Sequence, residues 1–137
     1  AFNYKTRPIA DSLAELAPEG IDVFFDNVGG EALEAAIGAL NIHARIVLSG
    51  MVSQYNGQPV VGPRNIWNLA VTRSALLTFM VTEEMDLQPQ FLQEAAGWLA
   101  TGALRSRETV VDGFENTLEA YSAMMRGENI GKMLVRL

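Results

Sequence analysis

Three short segments hold residue types that could bind and transform a ligand. They are Asp26-Asn27-Val28-Gly29-Gly30, Ser49-Gly50-Met51-Val52-Ser53-Gln54-Tyr55, and Phe79-Met80-Val81. The paired glycines remove side chains where a chain must turn sharply, so backbone amides can approach a ligand there, or the turn can simply be tight. The tight turn is the more routine use. The dinucleotide fingerprint G-x-G-x-x-G is absent. Ser49 has no histidine or acid at hydrolase spacing. Asp22 and Asp26 fall in one apolar run and do not form a carboxylate pair for acid/base work. With no cysteine and a single histidine, His43, thiolate nucleophiles, disulfides and a Cys- or His-rich metal site are excluded. The expected metal content of the site is none.

The elements that would position these segments follow from periodicity. Apolar residues at 9, 13, 16 and 17 predict a helix opened by Pro8 and closed by Pro18-Glu19-Gly20. Ile21 to Asp26 is β-branched and aromatic, a buried strand with Asn27 to Gly30 as its exit. Glu31 to Leu40 predicts a helix with Leu33, Ala36, Ile37 and Leu40 on one face. Ala44 to Leu48 predicts the next strand, and Met51 to Pro63 a long loop punctuated at Gly57-Gln58-Pro59 and Gly62-Pro63. Ile66 to Val71 can form a turn or two of helix, and Ala75 to Val81 a strand. Gln90 to Leu104 carries Phe91, Leu92, Ala95, Trp98 and Leu99 at helical spacing, and Thr109 to Val111 follows as a strand. Phe114, Leu118, Tyr121 and Met125 read as a core stripe on a helix, and Gly131 to Leu137 as a last strand.

Strands and helices alternate, and the strands are apolar runs without polar alternation, which predicts coverage on both faces. The fold class is therefore α/β, a doubly wound, Rossmann-like, mostly parallel sheet, read as one domain over 1–137. In such a sheet ligands bind beyond the carboxyl ends of the strands, where all three segments lie. His43 falls at a strand entrance, away from that edge.

Composition narrows the partners. The 137 residues carry 10 Lys and Arg against 16 Asp and Glu, a formal charge of −6. An acidic balance with no basic run repels phosphate backbones, so nucleic acid and anionic membrane are poor partners. No stretch reaches the roughly 18 apolar residues of a spanning helix. The first residues, Ala1 to Lys5, lack the pattern of a signal peptide. They read as a strand whose preceding context lies elsewhere.

Five ordered motifs then point to a family: Phe2-Asn3-Tyr4-Lys5, Phe25 to Glu31, Ser49 to Asn56, Gly113-Phe114-Glu115-Asn116, and Gly127-Glu128-Asn129-Ile130-Gly131-Lys132. In this order they resemble the C-terminal part of the zinc-free medium-chain dehydrogenase/reductases, in the branch of the leukotriene B4 dehydrogenases, prostaglandin reductases and alkenal double-bond reductases. The resemblance implies a cytoplasmic enzyme that passes a hydride from NADPH to the β-carbon of an α,β-unsaturated aldehyde or ketone. It implies that a glycine-rich phosphate loop and a GroES-like catalytic domain precede this part of the fold. It also implies a homodimer paired through the strand at 75–81.

By the same resemblance, Tyr4 lies near the adenosine end of NADP(H), Asn27 offers its amide to the dinucleotide, and Ser49, Gly50, Met51, Val52, Ser53, Gln54 and Tyr55 line the cofactor. Phe79, Met80 and Val81 wall the nicotinamide, and Asn129 bonds cofactor from the far end. Tyr55 is the candidate catalytic residue, because a phenol aimed at the carbonyl oxygen would stabilise the enolate left by hydride addition. The alternative is that it packs its loop or clamps the nicotinamide ribose. Two rival functions stay open: a non-catalytic dinucleotide-domain or dimerisation module, and a related quinone reductase or alcohol dehydrogenase.

Overall fold

The computed structural model describes residues 1–55 and 61–137. Its contacts divide the chain into two units, Ala1–Glu83 and Glu84–Leu137.

In the first unit, helix α1 (Ile9–Leu16) begins after Pro8. Ser12 is fully buried and donates its hydroxyl to the Pro8 carbonyl at 2.9 Å. Strand β1 (Ile21–Asp26) runs parallel to β2 (Leu40–Leu48), which runs parallel to β3 (Ala75–Thr78), in the order β1-β2-β3. Parallel neighbours need crossovers. Helix α2 (Gly30–Gly38) makes the first, and the second includes a 3₁₀ turn at Val52–Gln54 and the short helix α3 (Asn68–Thr72). The stripe expected on α2 is present: Leu33, Ala36 and Ile37 are buried. Leu33 and Ile37 close on Ile46, with Phe24, Leu40, Leu48 and Leu69 packed around them.

Several boundaries differ from the sequence reading. Leu40 is the first residue of β2 rather than the last of α2, since the helix ends at Gly38. β2 therefore starts early and must absorb extra residues: Ile21 pairs with Leu40, but Val23 already pairs with Arg45. The slack is taken up around His43, which adopts a left-handed φ of 66°. Asn41 fixes the irregularity by donating to Asp22 at 3.0 Å. At the other end, β3 stops at Thr78 and Val81 opens a 3₁₀ turn (Val81–Glu83). The cause is β2, whose last carbonyl, on Leu48, accepts the Phe79 amide at 3.0 Å and leaves no further ladder. No strand forms at the start of the chain. Instead the Asn3 carbonyl accepts the Thr6 amide and its side chain the Lys5 amide, closing a turn.

Residues paired across a sheet share a face. Phe24 and Ile46 lie on the helix-covered face. Val23 and Phe25, on the other face, remain 55% and 52% exposed. The coverage of both faces expected from the apolar runs is thus not met among the described residues. An apolar run says which side chains stand on each face, not what covers them. Asn56, Gly57, Gln58 and Pro59, part of the Ser49 to Asn56 motif and of the loop punctuation, lie outside the described residues.

In the second unit, a 3₁₀ turn (Met85–Leu87) leads into α4 (Gln88–Thr101), which closes at Gly102 with φ 73°. Strand β4 (Glu108–Asp112) pairs in parallel with β5 (Lys132–Arg136), joined through a 3₁₀ turn (Phe114–Asn116) and α5 (Thr117–Met125). The expected core stripe on α5 is not formed, because Phe114, Leu118 and Tyr121 are exposed and Ala120 is the residue that α5 buries. Both units carry parallel strands joined through helices, as the α/β reading requires.

Candidate functional site

Asp26 ends β1 and organises everything beyond it. It is only 2% exposed. Its Oδ1 accepts the Val28 amide at 2.8 Å and the Gly29 amide at 3.0 Å, and its Oδ2 accepts the Gly29 amide at 3.1 Å. A carboxyl group taking amides two and three residues ahead makes an Asx turn, and it leads the chain into the N-cap of α2, Gly29. The Asp26 carbonyl accepts the amides of Ser49 at 2.7 Å and Gly50 at 3.2 Å.

The two strand exits then run side by side. The Asn27 carbonyl accepts the Val52 amide at 3.1 Å, and the Val28 carbonyl accepts both the Ser53 amide at 3.1 Å and the Ser53 hydroxyl at 2.5 Å. Glycine is demanded by this packing. A Cβ on Gly50 would lie 3.1 Å from the Asn27 carbonyl oxygen, and one on Gly30 would lie 2.9 Å from Ser53 Oγ. Gly29 sits at φ 68° and ψ −153°, a region open essentially to glycine alone. The glycine pair is therefore a turn that lets the second exit loop close on the first.

On this ledge Asn27 is exposed, with Val52 and Ser53 exposed and Ser49, Gly50 and Met51 half-buried. Gln54 reaches the Val61 carbonyl at 3.5 Å. Tyr55 follows the 3₁₀ turn, its amide on the Val52 carbonyl, and its side chain is largely exposed at 65%. Phe79 stands at the end of the next strand with its ring edge-on to Phe25, centroids 5.9 Å apart. Met80 and Val81 beyond it are exposed. The structure thus joins Asn27 with Ser49 to Ser53, and sets Phe79 at the neighbouring exit of the same sheet.

Tyr4 and Asn129 belong to other segments of the chain. Tyr4 is exposed in the turn before α1. Asn129 belongs to the second unit, where its side-chain amide donates to the Gly131 carbonyl at 2.6 Å. The residue that sequence reasoning passed over is Asp26, set aside for want of a partner acid. Its signal was available: an Asp placed ahead of Asn-Val-Gly-Gly is the side chain that closes such a turn.

Within each unit, charge is held in local pairs. Glu34 on α2 holds Arg64, with Nε and Nη2 on Oε1 at 3.0 and 2.9 Å, and this guanidinium keeps the Glu34 carboxyl below its ordinary range. In the second unit Glu128 and Glu119 grip Arg126 and raise its guanidinium above its ordinary range.

Parallel strands whose exits carry a ledge of backbone and amide groups define an α/β domain with its ligand edge at the carboxyl ends of the strands. The chain belongs to the zinc-binding dehydrogenase family, whose model matches residues 1–135. It is 37% identical over 142 residues to the NADP-dependent oxidoreductase RED1 of Cochliobolus heterostrophus, covering 99% of this chain and 40% of the relative. It is 34% identical over 136 residues to the NADP(+)-dependent 2-alkenal reductase of Nicotiana tabacum, covering 98% and 40%. Among solved structures, CurA of Vibrio vulnificus in complex with NADPH superposes with a TM-score of 0.81 at 34% identity, over 93% of this chain and 40% of that one. The chain therefore spans about two-fifths of the length of the relatives it matches.

Two groups implied by the family can be tested against these residues. For zinc the donors do not fit: there is no cysteine, His43 is exposed on β2, and no group of His, Asp or Glu among the described residues could hold a metal ion. For a dinucleotide the groups present are compatible, because the exposed Asn27 side chain offers both a donor and an acceptor at the strand exit. No helix among the described residues is long and apolar enough to cross a membrane.

Proposed function

We propose that this chain is the C-terminal portion of the Rossmann-like, cofactor-binding domain of a zinc-independent, NADPH-dependent reductase acting on the C=C bond of α,β-unsaturated aldehydes and ketones. The observation that carries the reading is the ledge formed by residues 26–30 and 49–53, in a chain 34% identical to a 2-alkenal reductase. When bound, NADPH supplies a hydride that is delivered to the substrate's β-carbon.

This chain's residues bind and orient. The Asn27 amide and the Ser49 to Ser53 loop hold the dinucleotide, and Phe79, Met80 and Val81 exclude water at its reacting end. Tyr4 and Asn129 serve its outer parts. The Tyr55 phenol donates to the carbonyl oxygen, where negative charge develops as the double bond is reduced. The phosphate loop and most of the substrate pocket come from preceding segments, in keeping with the two-fifths coverage of the relatives. The enzyme works in the cytoplasm as a homodimer. β3 supports the dimer, being the outer strand of its sheet with all four residues exposed, an edge open to a second copy.

Tyr55→Phe in the intact reductase tests the catalytic assignment. A loss of about tenfold to a hundredfold in kcat with a 2-alkenal is expected, with the KM for NADPH little changed. Unchanged turnover would remove Tyr55 from the chemistry.

A further inference from the structure

We propose that Asp26 is the positioning residue of the cofactor ledge: its carboxyl group takes no part in the reaction but fixes both strand-exit loops in one geometry. The inference rests on the NADPH-reductase reading for what the ledge holds, and on geometry alone for what Asp26 does.

A carboxyl group inside a folded protein is costly unless its oxygens are satisfied. Asp26 is satisfied entirely by its own loop, through the amides of Val28 and Gly29. Those amides belong to the two residues just before α2, Gly29 being its N-cap. An external anion could have served them, as phosphates do at many glycine turns. Here the acceptor for the Val28 and Gly29 amides is internal, and Asn27, the residue between Asp26 and Val28, is left exposed.

The same residue governs the second loop through its backbone. Its carbonyl holds Ser49 and Gly50, while the carbonyls of Asn27 and Val28, whose positions the Asx turn sets, hold Val52 and Ser53. The hydrogen bonds of the Asp26 side chain go to Val28 and Gly29 rather than to Ser49 or Ser53, yet the placement of both follows from it. The tight fit of Gly30 against Ser53 and of Gly50 against Asn27 leaves little room for a second arrangement.

Amide hydrogen exchange in the 137-residue chain, read by NMR, tests this directly for Asp26→Ala and Asp26→Asn. In Asp26→Ala, exchange at Val28 and Gly29 should rise about tenfold or more, from loss of a buried acceptor. Ser49, Gly50 and Ser53 should follow, although their amides are not bonded to the altered side chain. Asp26→Asn retains Oδ1 for Val28 and for one of the two Gly29 bonds but replaces Oδ2, the acceptor of the other, by an NH2 group, so Gly29 should change more than Val28; this variant decides the matter if the alanine variant does not fold. Unaltered exchange at Ser49, Gly50 and Ser53 in a folded alanine variant, or equal response of Val28 and Gly29 in the asparagine variant, would overturn the proposal.

In the intact reductase, Asp26→Ala should raise the KM for NADPH about tenfold with a smaller effect on kcat, and Asp26→Asn should recover most of it. A fall in kcat alone would assign Asp26 to the chemistry instead and contradict a positioning role. If the unsubstituted enzyme consumed no NADPH with any enal, the functional reading would fail while the exchange result still decided the role of Asp26.

Discussion

The exits of β1 and β4 start from the same residue types and end in different structures. Each strand finishes in an aspartate, passes a positive-φ glycine and enters a helix. Asp26 is buried and turned onto its own loop, whereas Asp112 is exposed and pairs with Arg136 across the ladder at 3.0 Å. Beyond β1 a second exit loop is laced to the first through carbonyls and amides. Beyond β4 the corresponding bonds are the Gly113 amide on the Arg136 carbonyl and the Asn116 side chain on the Asp112 carbonyl. Position at a strand end is thus not sufficient to make a site. A site needs the neighbouring exit to close on it, which happens where glycines permit close approach.

The largest effect that would sharpen this contrast belongs to the second unit. Gly131 has φ 73°, and an added Cβ would fall 1.9 Å from the Arg107 carbonyl oxygen, a backbone atom unable to move aside. Gly131→Ala should cost about 4 kcal/mol from strain and overlap, measured as a fall in the denaturant midpoint. A variant of unchanged stability would show that the turn before β5 is not fixed as described.

The core of the first unit comes next. Ile46 is fully buried against Leu33 and Ile37. Ile46→Ala should lose about 3 kcal/mol by the same measurement. A much smaller loss would mean that the sheet carrying the ledge does not depend on this cluster.

Asp112→Ala then breaks or supports the comparison itself. An exposed ion pair contributes little, so the melting temperature should hold, and NADPH kinetics should be unaffected where those of Asp26→Ala are not. Equal sensitivity of the two aspartates would erase the distinction between the exits.

The smallest effect is a pH dependence. Arg64 lowers the Glu34 carboxyl, so the pair's contribution is complete above the ordinary glutamate range and is lost as pH falls through that range and below it. Exposure limits its size. Stability of the unaltered chain and Arg64→Ala should differ slightly at neutral pH, and the difference should vanish on acid titration through and below the ordinary glutamate range. Identical profiles would show that the pair contributes nothing in solution.

What could be read from the sequence was whatever a local pattern determines. The spacing of Leu33, Ala36 and Ile37 gave the buried face of α2, and the strand-exit rule placed Asn27 and Ser49 to Ser53 together. Boundaries that depend on a neighbour were not legible: β3 ends at Thr78 because β2 ends at Leu48, and His43 turns left-handed because β2 begins early at Leu40. The aromatic stripe of α5 had the right period, yet periodicity cannot say whether a partner covers it. Asp26 was readable in principle as a turn former. Its hold on Ser49 and Gly50 was not, since it joins segments more than twenty residues apart.

The central claim is the reduction of a conjugated C=C bond, and product analysis tests it most directly. The intact reductase is given NADPH and a 2-alkenal, and the products are separated and identified. The account predicts stoichiometric NADPH consumption with the saturated aldehyde as product. The allylic alcohol, formed by hydride delivery to the carbonyl carbon, would contradict it.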